Sequence, residues 1–81
     1  MNRFYFDLQS AHFSFDDPEG QMDISLDEAF SVAISSAQLF ADVCRTRRVS
    51  LEGATVVVRS DRGIAFCLHV AEVAHQPERR H

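Results

Sequence analysis

Residues 25–48, SLDEAFSVAISSAQLFADVCRTRR, decide the fold of this chain because they predict one long helix. Ser25 and Glu28 have the spacing of a capping box, in which each side chain accepts a hydrogen bond from the other residue's backbone amide. The first turn carries acidic residues and the last turn carries arginines, as the helix dipole favours. We therefore predict a helix from about Ser25 to about Arg48.

The apolar surface of this helix is wider than one sheet needs. At about 100° per residue, the main stripe consists of Leu26, Ala29, Phe30, Ala33, Ala37, Phe40, Ala41 and Cys44. A second apolar stripe, here called the helix patch, lies beside it and consists of Val32, Leu39 and Val43. Three interpretations stay open: the exit loop and C-terminal segment cover the helix patch, another protein covers it, or it is exposed.

Alternating apolar and polar residues predict strands on both sides of the helix. Residues 3–8 and 12–16 alternate and are joined by a short connection, which predicts a hairpin. Residues 54–59 and 64–71 predict a second hairpin, with a turn that ends in glycine. Between the first hairpin and the helix, Asp17-Pro18-Glu19-Gly20 has the composition of a turn.

The order strand, strand, helix, strand, strand predicts an α+β domain. We expect a four-stranded, mainly antiparallel sheet with the long helix packed on one face. The pattern leaves the strand order open, although the first strand is aromatic enough to be central. Residues 1–72 are predicted to form this single domain, and residues 73–81 are predicted to form a flexible C-terminal tail.

The same alternation predicts which side chains face the core. In the last strand they are Ile64, Phe66, Leu68 and Val70. All seven phenylalanines, at positions 4, 6, 13, 15, 30, 40 and 66, fall on positions predicted to face inward. Cys44 and Cys67 lie in apolar periodic segments, so we interpret them as small buried hydrophobic residues and not as a disulfide.

Charge and hydropathy limit the classes of partner. The net charge is −4 and the pI is near 5.4, which argues against bulk attraction to nucleic acid or anionic lipid. The chain has no apolar stretch long enough to span a membrane and does not begin like a signal peptide. Together with two thiols interpreted as reduced, this predicts a cytoplasmic protein.

No stretch of the sequence has a specific catalytic, phosphate-binding or metal-binding motif. Cys67 and His69 share one face of a predicted strand, and His12 can join that face, but the three lack the paired spacing of a zinc site. No serine or cysteine has a recognisable base beside it. We therefore predict no enzymatic activity, no cofactor, no metal and no small-molecule substrate.

A binding role is the remaining hypothesis. We predict a small protein-interaction module that self-associates or docks on another protein, through a sheet edge or through the helix patch of Val32, Leu39 and Val43. The alternative is a nucleic-acid-binding regulator that uses the basic cluster. That cluster consists of Arg45, Arg47 and Arg48 and lacks interleaved aromatic residues.

Five features also carry a resemblance. They are the opening Arg3-Phe4-Tyr5-Phe6-Asp7, the Asp17-Pro18-Glu19-Gly20 turn, Asp27, Ala29 and Ala33 in the helix, Leu51-Glu52-Gly53-Ala54-Thr55-Val56-Val57-Val58-Arg59, and the Asp61-Arg62-Gly63 turn. Together they resemble a family of short alphaproteobacterial, largely rhizobial, proteins of unknown function. The resemblance extends to about residue 70. The tail beyond residue 72 departs from the family's pattern, and so does the Gln9-Ser10 connection, where the family has Asp and Gly. It implies a bacterial cytoplasmic protein and no catalytic residues.

Overall fold

Seven elements follow one another in the computed structural model, which describes residues 2–74. Three strands, β1 (Arg3–Gln9), β2 (Ser14–Phe15) and β3 (Gln21–Met22), precede the long helix α1 (Leu26–Arg47). Strands β4 (Thr55–Ser60) and β5 (Gly63–His69) and the short helix α2 (Val70–Ala74) follow it. The predicted α+β order is confirmed, with the short elements β3 and α2 added to it.

The strands form one antiparallel sheet in the order β2-β1-β4-β5, and β3 also pairs with β1. The strand β1 is central, as predicted. One of its edges pairs with β4 from Tyr5 to Gln9, and the other edge pairs with β2 near one end and β3 near the other. Within residues 2–74, β5 is therefore one edge of the sheet, and the two short strands form the opposite edge.

The ends of α1 follow the local signals in the sequence. The Ser25 hydroxyl accepts from the Glu28 amide at 3.1 Å, and the Glu28 carboxylate accepts from the Ser25 amide at 2.7 Å. At the other end, Arg48 adopts the left-handed conformation with φ +59°, and its amide donates to the Arg45 carbonyl. The predicted capping box and both helix ends are thus confirmed.

The core lies between α1 and the sheet. Its helix side is made of small residues, because Ala29, Ala33 and Ala37 have no exposed surface. Alanines let the helix backbone approach the sheet closely, where valines of β4 and phenylalanines of β1 fill the space. The buried core residues are Phe4, Phe6, Ala29, Ala33, Ala37, Ala41, Ala54, Val56, Val58, Val70 and Val73.

The short helix α2 turns the chain back onto α1 after β5. Val70 and Val73 lie three residues apart, on one face of this helix, and both are buried in the core. The predicted tail begins at Val73, so the structure extends the packed chain to at least that residue. Residues 75–81 of the predicted tail lie outside the described residues.

Three of the seven phenylalanines are less buried than predicted. Phe13, Phe15 and Phe30 are 37%, 59% and 47% exposed. Phe15 pairs with Leu8 and shares its face of the sheet, but β2 is an edge strand that α1 leaves largely uncovered. Phe30 lies beside the opposite edge, where its ring centroid is 5.7 Å from that of Phe66 in β5.

A β-bulge overturns the predicted orientation of Ile64. The β4–β5 pairing joins Val58 to Phe66 but Arg59 to Ile64, so Ala65 is an extra residue in β5. Because one extra residue shifts the alternation of the strand, Ile64 joins the face of Arg59, away from α1. Its side chain is 68% exposed, and the prediction that it faces the core is wrong.

Candidate interaction surfaces

The helix patch is partly open to solvent. Val32 is half-buried against the core, whereas Leu39 is 67% exposed and Val43 is 44% exposed. Within residues 2–74, neither the exit loop nor the C-terminal segment covers these two side chains. A shallow depression of about 300 Å³ lies along this side of α1, between Val32 and Leu39, and is otherwise lined by serines.

The apolar surface of the helix patch continues onto β2. Phe40 belongs to the main stripe on α1 and adjoins the helix patch through its neighbour Leu39, and its ring packs edge-on against Phe13 with centroids 5.4 Å apart. Phe15 follows two residues later, and the face it shares with Leu8 is the helix side of the sheet. The side chains of α1 and β2 therefore form an apolar surface along one side of the molecule.

The second candidate surface is the free edge of β5, here called the β5 edge. Its seven residues, GIAFCLH, contain no proline, lysine, arginine or carboxylate. Among the described strands, β5 pairs only with β4, so alternate backbone groups of β5 point away from the sheet. Exposed apolar side chains flank it, because Leu26, Phe30 and Ile64 are 57%, 47% and 68% exposed.

The face of the sheet away from α1 holds an ion pair in which the carboxylate is buried and the guanidinium is partly exposed. Asp7 is only 3% exposed, although its alternation predicts an outward polar residue. Arg59 Nε donates to its Oδ2 at 2.5 Å, and Arg59 Nη2 donates to its Oδ1 at 3.3 Å. These hydrogen bonds lower the pKa of the Asp7 carboxyl against the opposing effect of its burial, and they raise the pKa of Arg59. The guanidinium also lies 4.7 Å from the Tyr5 ring centroid.

Asp17 ties the turn before β3 to this ion pair. Its amide donates to Asp7 Oδ1 at 2.9 Å, while its carboxylate accepts from the amide of Phe6 at 3.1 Å. The same carboxylate accepts from the amides of Glu19 and Gly20. Residues 16–20 connect β2 to β3, and neither strand pairs with Phe6 in β1. The Asp17 carboxylate accepts the hydrogen bond that the Phe6 amide would otherwise donate to a neighbouring strand.

This polar cluster has the properties of a structural element. Both oxygens of Asp7 and both oxygens of Asp17 accept hydrogen bonds. No buried side-chain oxygen or nitrogen in the described part of the chain lacks a partner. Sequence reasoning missed the cluster because Asp7 and Arg59 are diagonal neighbours across the β1–β4 pair, and strand order was needed to see it.

The residues considered for metal binding do not converge. Cys67 and His69 are exposed on the outer face of β5, and His12 is exposed in the connection after β1. Residues 2–74 contain no group of three or more side chains placed to hold a metal ion. The buried position predicted for Cys67 is wrong because Cys67 lies on the outer face of the edge strand β5, whereas Cys44 is buried as predicted.

The basic cluster lies at the C-terminal end of α1. Arg45 forms an exposed ion pair with Asp42, and Arg48 provides the left-handed cap of the helix. Arg47 is exposed in the last turn. Two of the three arginines therefore have contacts that serve the helix end, and their placement does not favour the nucleic-acid alternative.

Comparison with known proteins gives no information about function, so a functional proposal depends on the fold and on the two candidate surfaces. No protein-family model, curated protein or solved structure matches the chain. The resemblance to the alphaproteobacterial family stays a prediction. In residues 2–74, neither helix combines the length and the apolar character that crossing a membrane requires.

Proposed function

We propose that the protein is a small, non-catalytic interaction module that self-associates, and that the helix patch is one of its contact surfaces. The observation that carries this proposal is the exposure of Leu39 and Val43 beside the Phe13–Phe40 contact. An apolar surface on two adjacent elements is a feature of sites where another chain binds.

The exposed side chains supply a driving force for binding. Full burial of a leucine or valine side chain stabilises by about 1.5–3 kcal/mol. With Leu39 67% and Val43 44% exposed, covering both contributes about 2–3 kcal/mol to association. Exposed polar residues such as Ser35 and Asp42 lie beside these side chains and form the rim that such interfaces have.

A binding role accounts for the polar residues better than catalysis does. Asp7, the only buried carboxylate among the described residues, is held ionised by Arg59 and is saturated by hydrogen bonds. A general acid or base needs an oxygen that can reach a substrate. We also propose a cytoplasmic location, which the free thiols of Cys44 and Cys67 support.

The test is sedimentation equilibrium of the full chain over a wide concentration range. We expect the wild-type protein to self-associate and Leu39→Glu to weaken association by about tenfold or more, because a carboxylate must then be desolvated in the contact. Gln38→Glu is the matched control, since Gln38 is the exposed neighbour of Leu39. A wild-type protein that stays monomeric at every concentration contradicts self-association. Equal association of both variants removes the helix patch from the contact.

A further inference from the structure

The two edges of the sheet differ in how well they are protected against pairing with another strand. The edge formed by β2 and β3 consists of two-residue strands separated by residues 16–20. That interruption carries Asp16, Asp17 and Glu19, and charges of this kind block strand addition. The β5 edge carries neither charge nor proline, and after the bulge at Ala65 its residues 66–69 alternate regularly. The β5 edge is therefore the place where this sheet can grow.

A second copy of the same chain fits the β5 edge. Two identical strands related by a two-fold axis pair in an antiparallel manner, which is the pairing used throughout this sheet. Residues near such an axis face their own copies, so a charged residue there would repel itself. The strand has none, although the chain as a whole carries a net charge of −4.

Pairing of two β5 strands also covers apolar surface beside the core. Phe66 faces α1 and is half-buried, and Phe30 overhangs it with 47% of its surface exposed. Leu26 lies one turn before Phe30 on the same side of α1. A second strand alongside β5 would bring the two Phe66–Phe30 pairs together and continue the apolar layer from one copy into the other.

We propose that two copies of this chain dimerise by antiparallel pairing of their β5 strands, which joins their sheets into one continuous sheet. This inference rests on the proposed self-association and adds to the helix patch a second contact surface, the β5 edge, where the partner is another copy of the chain. The helix patch lies on a different side of α1 and stays available in such a dimer.

The geometry of this pairing makes Cys67 its reporter. The two α1 helices lie on the same face of the joined sheet only if each β5 residue pairs with a residue whose side chain is on the same face. In a regular strand these residues are an even number of positions apart, so one residue at the two-fold axis lies opposite its own copy. The middle of β5 is Phe66, and Cys67 follows it. With the axis at Cys67 the two thiols are directly opposite. With the axis at Phe66 they are diagonal neighbours, about 7–8 Å apart.

The experiment combines cross-linking with sedimentation of the full chain. A short bis-maleimide is added to the native protein, in which Cys67 is exposed and Cys44 is buried. We expect a covalent dimer from the wild-type chain and none from Cys67→Ser. The matched control carries Gln38→Cys together with Cys67→Ser, which moves the reactive thiol to the exposed polar side of α1; we expect it to cross-link far less.

A second variant tests the contact without cross-linking. Cys67→Lys replaces an exposed side chain, so the circular dichroism of the monomer should not change. It places a positive charge next to its own copy, and we expect the dissociation constant to rise by about tenfold or more. Gln38→Lys is the control, because it adds the same positive charge on the exposed polar side of α1.

The outcomes separate this inference from the proposed function. A dimer that cross-links through Cys67 and is weakened by Cys67→Lys supports pairing at the β5 edge. A dimer that does not cross-link through Cys67, or cross-links equally through a thiol at position 38, overturns the inference and leaves self-association intact. A monomeric wild-type protein overturns both. Loss of the dimer in Leu39→Glu without any effect of Cys67→Lys assigns the contact to the helix patch.

Discussion

Replacement of Asp17 by asparagine should destabilise the fold through one hydrogen bond. In the structure, Asp17 Oδ1 accepts from the amides of Glu19 and Gly20, and Oδ2 accepts from the amide of Phe6. Asparagine keeps the shape and one acceptor but places an NH₂ group where Oδ2 was. The amide of Phe6, in the central strand, would then face a second donor.

The size of the effect follows from the unpaired amide. A buried donor left without a partner costs about 1–3 kcal/mol. The Phe6 contact is only partly buried, so we expect the lower half of this range, about 1–2 kcal/mol. Rotation of the amide group does not restore the balance, because it satisfies Phe6 and removes the acceptor of Glu19 and Gly20. Asp17→Ala should cost more, since all three donors lose their acceptor.

Urea unfolding followed by circular dichroism measures this free energy of unfolding. The control is Asp16→Asn, because Asp16 is exposed, carries the same charge and adjoins Asp17. We expect the control to stay within about 0.5 kcal/mol of the wild-type protein. If Asp17→Asn and Asp16→Asn unfold at the same urea concentration, the carboxylate does not stand in for a strand partner, and this account of residues 16–20 is wrong.

Three further predictions concern local features. Gly20 and Gly53 have nearly equal positive φ angles, +71° and +70°, but only a Cβ at Gly20 would lie 2.6 Å from a backbone oxygen of β1. Gly53→Ala should therefore cost only the backbone strain, about 1–2 kcal/mol of unfolding free energy. Chemical denaturation should show a larger loss for Gly20→Ala. The pKa of the Asp7 carboxyl is lower in the folded state than its value of about 4 in the unfolded chain. The ionised carboxylate therefore stabilises the fold fully above the unfolded pKa, and this stabilisation is lost as pH falls through the folded pKa. Asp7→Asn should flatten the acid side of a plot of unfolding free energy against pH, and an unchanged slope would contradict this prediction. Thermal unfolding should show that Ser25→Ala, which removes the N-cap, costs about 1 kcal/mol, whereas Ser31→Ala on the exposed face of α1 costs less than about 0.5 kcal/mol.

Much of the fold could be predicted from the sequence because its signals are local. The capping box of Ser25 and Glu28 and the arginines near Arg48 define the ends of α1 within one residue. The aromatic alternation of β1 predicts its central position. Each of these signals acts between residues close in the chain, so no knowledge of the tertiary structure was needed to interpret them.

The failures involve contacts between residues far apart in the chain. Ile64 alternates regularly with Phe66, and only the pairing with β4 reveals that Ala65 is an extra residue. Phe15 has the right alternation for a core residue, but its exposure depends on how far α1 reaches over β2. The sequence predicts the surplus apolar surface of the helix patch but leaves open what covers it. In the structure Leu39 and Val43 are exposed, and the partner that covers them stays a proposal.

The central position of β1 has a consequence for how the chain folds. Its pairing joins Tyr5 to Arg59, so the sheet cannot close until residues more than fifty positions apart have met. Strand β1 with β2 and β3 forms one half of the sheet, and β4 with β5 forms the other. Because the β1–β4 pairing joins these two halves, neither half retains a complete core when that pairing opens. The amides of β1 and β4 should therefore exchange their hydrogens only through global unfolding, at equal free energies. The two halves of the sheet should therefore unfold together. Faster amide hydrogen exchange in β1 than in β4 would show that the halves unfold independently.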